Sequence, residues 1–118
     1  MLRAVEVARA APIVEKAAPA EALASVACSV ADVCAARDRC AHVYRLAAEG
    51  ARLEHEARAG FAPLLAEIEQ KVARPGQADR LRLLEEQADH AKAQVEAAGA
   101  ALPACDDAVA AMRRAHAL

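Results

Sequence analysis

The chain has 118 residues, 36 of them alanine, with one Phe, one Tyr and no Trp, Asn or Thr. The β-formers are too few for a sandwich or a doubly wound sheet, whereas the abundant Ala, Leu, Glu and Arg are strong helix formers. A formal net charge of −2, from 15 basic and 17 acidic residues mixed along the chain, excludes the basic stripe that drives binding to a DNA backbone.

Residues 1–19 read as a helical lead-in broken at Pro12 and Pro19, because proline suits the first turn of a helix and not its interior. From Ala20 the pattern changes. Leu23, Val26, Val30, Val33, Arg37, Cys40, Tyr44 and Ala47 alternate spacings of three and four, the signature of a buried helical stripe. Leu46, Gly50, Leu53, Ala57, Phe61, Leu64, Ile68 and Val72 carry the stripe on. Gly60 and Pro63 interrupt it, which predicts a break or a kink. Arg74-Pro75-Gly76 is the clearest turn, and Asp79 is placed to cap the helix that follows. Leu81, Leu84, Ala88, Ala91, Val95, Ala98, Leu102, Cys105, Val109 and Met112 then form a second stripe, which keeps its phase across Pro103.

This predicts an all-α fold. Two long heptad-patterned helices, about 20–73 and 78–116, form an antiparallel hairpin with a turn at 74–77. Short N-terminal helices complete a three- to four-helix bundle, and residues 1–118 make a single domain. An alanine-rich seam stabilises an isolated hairpin only marginally, so the N-terminal helices or a second copy of the chain must cover the open face. No apolar run approaches the ~20 residues that cross a bilayer. These features set the expectation of a cytoplasmic protein, a possible homo-oligomer, with no membrane or DNA partner.

The four cysteines, Cys28, Cys34, Cys40 and Cys105, read as reduced, partly buried packing residues. On one continuous helix, six residues turn a side chain by about 240°, so the first three thiols would face three directions. No closely spaced cysteine pair nucleates a metal site, and no metal or cofactor is expected. The only serines, Ser25 and Ser29, have no histidine at useful spacing, and the four glycines form no phosphate loop. His55, between Glu54 and Glu56, and His90, after Asp89, read as surface residues.

One string could carry chemistry: Arg37-Asp38-Arg39-Cys40-Ala41-His42-Val43-Tyr44. It fits R-x4-H-x-Y and resembles the signature of HEPN-type ribonucleases. That resemblance implies a homodimer cleaving RNA, with Arg37 stabilising the anionic transition state, His42 transferring protons and Tyr44 closing the motif. A longer stretch, Val43-x-Arg45-Leu46-x-x-Glu49 followed by Leu53-Glu54-x-Glu56-Ala57, is similar to the first helix of tubulin-binding cofactor A. Ile68-Glu69, the turn at Gly76, Leu81-Arg82 and Glu86 roughly follow its turn and second helix. That resemblance implies a three-helix bundle that holds β-tubulin without catalysis.

The favoured expectation is a non-enzymatic helical interaction module of chaperone, adaptor or assembly-factor type. It would bind a protein partner through a long mixed-charge face, with Arg45, Glu49, Arg52, Glu56, Arg82 and Glu86 as the contact residues. RNA enters only in the ribonuclease alternative.

Overall fold

The structure is a computed structural model that describes all 118 residues. Four α-helices follow one another: α1 (Leu2–Ala10), α2 (Ala17–Ala24), α3 (Ala31–Glu69) and α4 (Gln77–Ala115), with a single 3-10 turn at Ile13–Glu15. The two 39-residue helices α3 and α4 pack antiparallel along their length. The result is a rod of 65 × 20 × 18 Å. Its radius of gyration is 19.0 Å, against about 13–14 Å for a compact domain of this length.

The second stripe forms the inner face of α4. Ala91, Ala98, Cys105 and Met112 are buried there. Opposite them, α3 buries Cys40, Ala47, Gly50, Ala57 and Leu64. Gly50 explains how closely the helices approach. A Cβ at that position would lie 3.1 Å from the Ala91 carbonyl oxygen and 2.6 Å from Val95 Cγ2.

Neither proline breaks its helix: α3 runs unbroken through Gly60 and Pro63, and α4 runs through Pro103, where the second stripe keeps its phase. Each proline removes the hydrogen bond to the carbonyl four residues back, on Ala59 and Gly99 respectively. Both of those residues are exposed, so water can solvate the freed carbonyls. The cost is met by 39 residues of continuous packing.

The N-terminal part departs from the 20–73 helix expected. The chain leaves the helix after Ala24 and re-enters only at Ala31. At the end of α2, both the Ser25 amide and the Ser25 hydroxyl donate to the Glu21 carbonyl, and Val26 N–H donates to Leu23 O at 3.1 Å. The 25–30 connector then lets α2 fold back onto α3. Ala20 and Leu23 on α2 become fully buried together with Val5 and Ala8 of α1, against Cys40, Ala41, Val43 and Tyr44. Leu23 is thus buried as the periodicity demands, but on a separate helix.

The cysteines also depart from expectation: none is free. Cys28 pairs with Cys34, and Cys40 pairs with Cys105. Cys28 can meet Cys34 because it lies on the connector, outside any helix, and is not bound to the rotation of one continuous helix. The hairpin itself brings Cys40 and Cys105 within 4.7 Å, Cα to Cα. At the opposite end of the rod, Gly76 adopts a left-handed φ of 80° and precedes α4 directly. Asp79 therefore falls inside the first turn, paired with Arg82, and is not the cap. No helix is long and apolar enough to cross a membrane.

Candidate functional site

The return of the N-terminal chain creates the main concavity. Pro12 fixes an extended residue ahead of the 3-10 turn, which with α2 is laid across the middle of α3. Between them lies a groove of about 690 Å³. Val14 and Ala17 line one side, Ala48 and Ala51 the floor, and Arg45, Glu49, Arg52 and His55 the α3 rim. Val14 is 70% exposed, an apolar side chain with no cover of its own.

Helical spacing makes the α3 rim an ionic ladder. Arg45, Glu49, Arg52 and Glu56 are four, three and four residues apart, so they stand above one another on one face. Arg52 is bracketed by Glu49 and Glu56, donating from Nε at 3.0 Å to the first and from Nη1 at 2.5 Å to the second. Arg45 reaches across to α2 instead. It grips Glu21 with both ends of its fork, at 2.7 and 3.0 Å. This bidentate pair closes one end of the groove and ties α2 to α3. Beyond the groove, Gln87 Nε2 of α4 lies 3.3 Å from Glu56 and 3.5 Å from the Leu53 carbonyl.

The pairing sets the protonation states. The Arg45 guanidinium holds the Glu21 carboxyl below its usual range, and Arg52 does the same to Glu49. In return, Glu49 and then Glu56 hold Arg52 more firmly charged than usual. The ladder is therefore a row of fixed, mutually satisfied charges.

Four of the six expected contact residues, Arg45, Glu49, Arg52 and Glu56, come together in this way. Arg82 and Glu86 do not: they sit exposed in the first turns of α4, outside the groove, and Arg82 pairs only with Asp79, at 3.5 Å. Glu21, Val14 and His55 complete the groove and were not legible as site residues. The first two reach it only because the chain folds back. The third has the local signature of a solvated residue.

The R-x4-H-x-Y string is split between different environments. His42 is exposed. Arg37 is half-buried and donates to the Val26 carbonyl at 2.9 Å and to Asp38 at 2.9 Å, clamping the connector. Tyr44 is 3% exposed and belongs to the core. Its hydroxyl accepts from Arg9 Nε at 3.5 Å, and its ring lies 5.2 Å beneath the Lys16 ammonium. Lys16 also donates to the carbonyls of Ala8 and Arg9 at 2.7 and 2.8 Å, capping the C-terminus of α1. Arg9 pairs with Asp106 of α4, which locks α1 across the hairpin.

Comparison with family models, curated proteins and solved structures finds no match. Both resemblances, to HEPN-type ribonucleases and to tubulin-binding cofactor A, therefore stand on the quoted residues alone.

Proposed function

We propose that the protein is a non-enzymatic interaction module of chaperone, adaptor or assembly-factor type, and that its partner is a protein segment bound in the α2–α3 groove. The observation that carries this reading is the groove itself. It has an alanine floor, an uncovered Val14 on one side and a ladder of fixed charges on the other. An amphipathic segment fits such a site, with an apolar side chain over Val14 and alternating charges along the ladder. The ladder's charges are already compensated, so the contact is polar and reversible, and its strength comes from the apolar part. The expectation of a cytoplasmic setting goes with reduced thiols. Four paired cysteines favour instead a setting oxidising enough to keep them closed.

No observation favours the RNA-cleaving reading over this one, since Arg37 is occupied in holding the connector. The test compares affinity capture by the wild type with capture by Val14→Asp, Arg45→Glu and His42→Ala, identifying bound protein and bound RNA. A protein retained by the wild type and by His42→Ala, and lost with the two groove variants, supports the groove. Equal capture by all four chains overturns it. RNA that is cleaved by the wild type and protected by His42→Ala replaces it with the nuclease.

A further inference from the structure

We propose that the Cys28–Cys34 disulfide is a thiol-exchange site for a small thiol of the glutathione type, whereas Cys40–Cys105 is an inert cross-link. The two bonds differ first in access. Cys40 and Cys105 are both 0% exposed and lie in the core beside Leu23 and Val43. Cys28 and Cys34 are both partly exposed, where the connector meets the start of α3. Exchange requires a thiolate to approach one sulfur from outside, and only the second bond allows it.

The two sulfurs of that bond differ in turn. Cys34 lies in the first turns of a 39-residue helix, where unpaired N–H groups and the helix dipole favour a negative charge. Arg37 and Asp38, three and four residues on, share that side as an ion pair at 2.9 Å and largely offset each other, so the preference rests on the helix start. Asp32, the carboxylate of that turn, is already engaged by the Val33 amide at 2.9 Å and by His116 at 3.0 Å. Cys28 is on the connector and has no such support. Cys34 is therefore the better leaving thiolate, and Cys28 is the sulfur attacked.

A thiolate RS⁻ bonds to Cys28 Sγ, the Cys28–Cys34 bond breaks, and Cys34 departs as a thiolate. A second RS⁻ then attacks the sulfur of the R group, and Cys28 departs as a thiolate. Two thiols are oxidised to RSSR, the protein disulfide is reduced to two thiols, and the protons released by the two thiols end on Cys28 and Cys34. In the reverse direction the oxidised form of the same small thiol closes the bond. The fold tolerates the opening, because the connector keeps the Arg37–Val26 clamp and the Cys34 N–H to Val30 O bond at 2.9 Å.

The test uses the oxidised full chain in glutathione at neutral pH, without denaturant, quenched with a maleimide and cut with trypsin. Cys28 and Cys34 fall together in peptide 17–37, Cys40 in 40–45 and Cys105 in 93–113, so the two bonds are read separately. The expected result is labelling of the 17–37 peptide at least tenfold faster than of the other two, with a transient glutathione adduct on Cys28. Opening of both bonds at one common rate, or no native-state labelling of 17–37, overturns the proposal. A second measurement follows alkylation rate against pH for Cys34 in Cys28→Ser and for Cys28 in Cys34→Ser. A midpoint for Cys34 below that of Cys28 supports the leaving-group assignment. Equal midpoints, or the reverse order, overturn it.

Discussion

Removing the Cys40–Cys105 bond should cost this protein far more than removing Cys28–Cys34, although the two bonds have the same chemistry. The perturbation is the double substitution Cys40→Ala and Cys105→Ala, which leaves no buried hydroxyl behind. A cross-link stabilises chiefly by limiting the unfolded chain, and the limit grows with the logarithm of the loop it closes. Cys40 and Cys105 are 65 residues apart, which corresponds to roughly 4 kcal/mol. Cys28 and Cys34 are six apart, which corresponds to roughly 2 kcal/mol. The larger bond also closes the hairpin at the end where α1 and α2 are docked, so its loss loosens the core cluster as well. Thermal unfolding followed by far-UV circular dichroism measures both. Unfolding of the 40–105 variant should fall on the order of 15 °C below the oxidised wild type. The 28–34 variant, Cys28→Ala with Cys34→Ala, should fall by about half of that. A 40–105 variant that melts within about 3 °C of wild type, or a 28–34 variant that melts lower than it, refutes the reasoning. In either case stability would reside in the helix seam and not in the constraint on the unfolded chain.

Three further outcomes follow from the same structure. Gly50→Ala should destabilise by about 1–3 kcal/mol, since the Ala91 carbonyl and Val95 backbone cannot retreat far; Gly99→Ala, whose Cβ meets nothing within 4 Å, should stabilise by up to ~1 kcal/mol. Melting temperatures that move in the same direction for both would contradict the close approach at Gly50. Stability should fall on acidification. Arg45 depresses the folded pKa of Glu21, His116 that of Asp32, Arg52 that of Glu49, and Gln77 with Arg80 that of Glu67. Each contribution is complete above the unfolded carboxylate pKa of about 4 and is lost as pH falls through the depressed folded value. Urea midpoints at pH 7 and at pH 3 should show the loss, and high salt should shrink it; a midpoint that rises on acidification would reverse the sign. Lys16→Met should free α1, because the Ala8 and Arg9 carbonyls lose their cap, and amide hydrogen exchange in residues 2–10 should speed up while α4 is unchanged.

The second long helix was legible almost residue by residue, and the reason is physical. Leu81 to Met112 lie on one inward face of α4, and only Val95, at 36% exposed, sits at the edge of that burial. A stripe of that length has one partner, the opposite arm of the hairpin, so period and packing agree. The first stripe was misread because the same period is satisfied in two ways. Leu23 can be buried on a helix continuous with α3, or on a separate α2 folded back upon it, and spacing does not distinguish them. What decides is the connector. Cys28 joined to Cys34 through their side chains, and Arg37 holding the Val26 carbonyl and Ser25 closing α2 through side chain to backbone bonds, carry no periodic signal.

The same ambiguity governs the site. The ladder on α3 was readable, since Arg45, Glu49, Arg52 and Glu56 are neighbours on any helix. Its opposite wall was not, because Val14 and Glu21 arrive there only through the fold-back. A rod of two alanine-seamed helices exposes long open faces, and a heptad pattern leaves undetermined what covers each of them. Here the chain covers part of one face with its own α1 and α2, held by Arg9–Asp106, Lys16 and Arg45–Glu21. The groove forms where that cover ends, against the exposed flank of α3. The fold-back thus supplies both stability and the candidate site, and a change that lifts α2 from α3 should impair the two together. Arg45→Ala distinguishes a bound ligand from a merely exposed face: it leaves every apolar contact of α3 with α4 intact, so lost partner capture with an unchanged hairpin would place recognition on the α2 side of the groove.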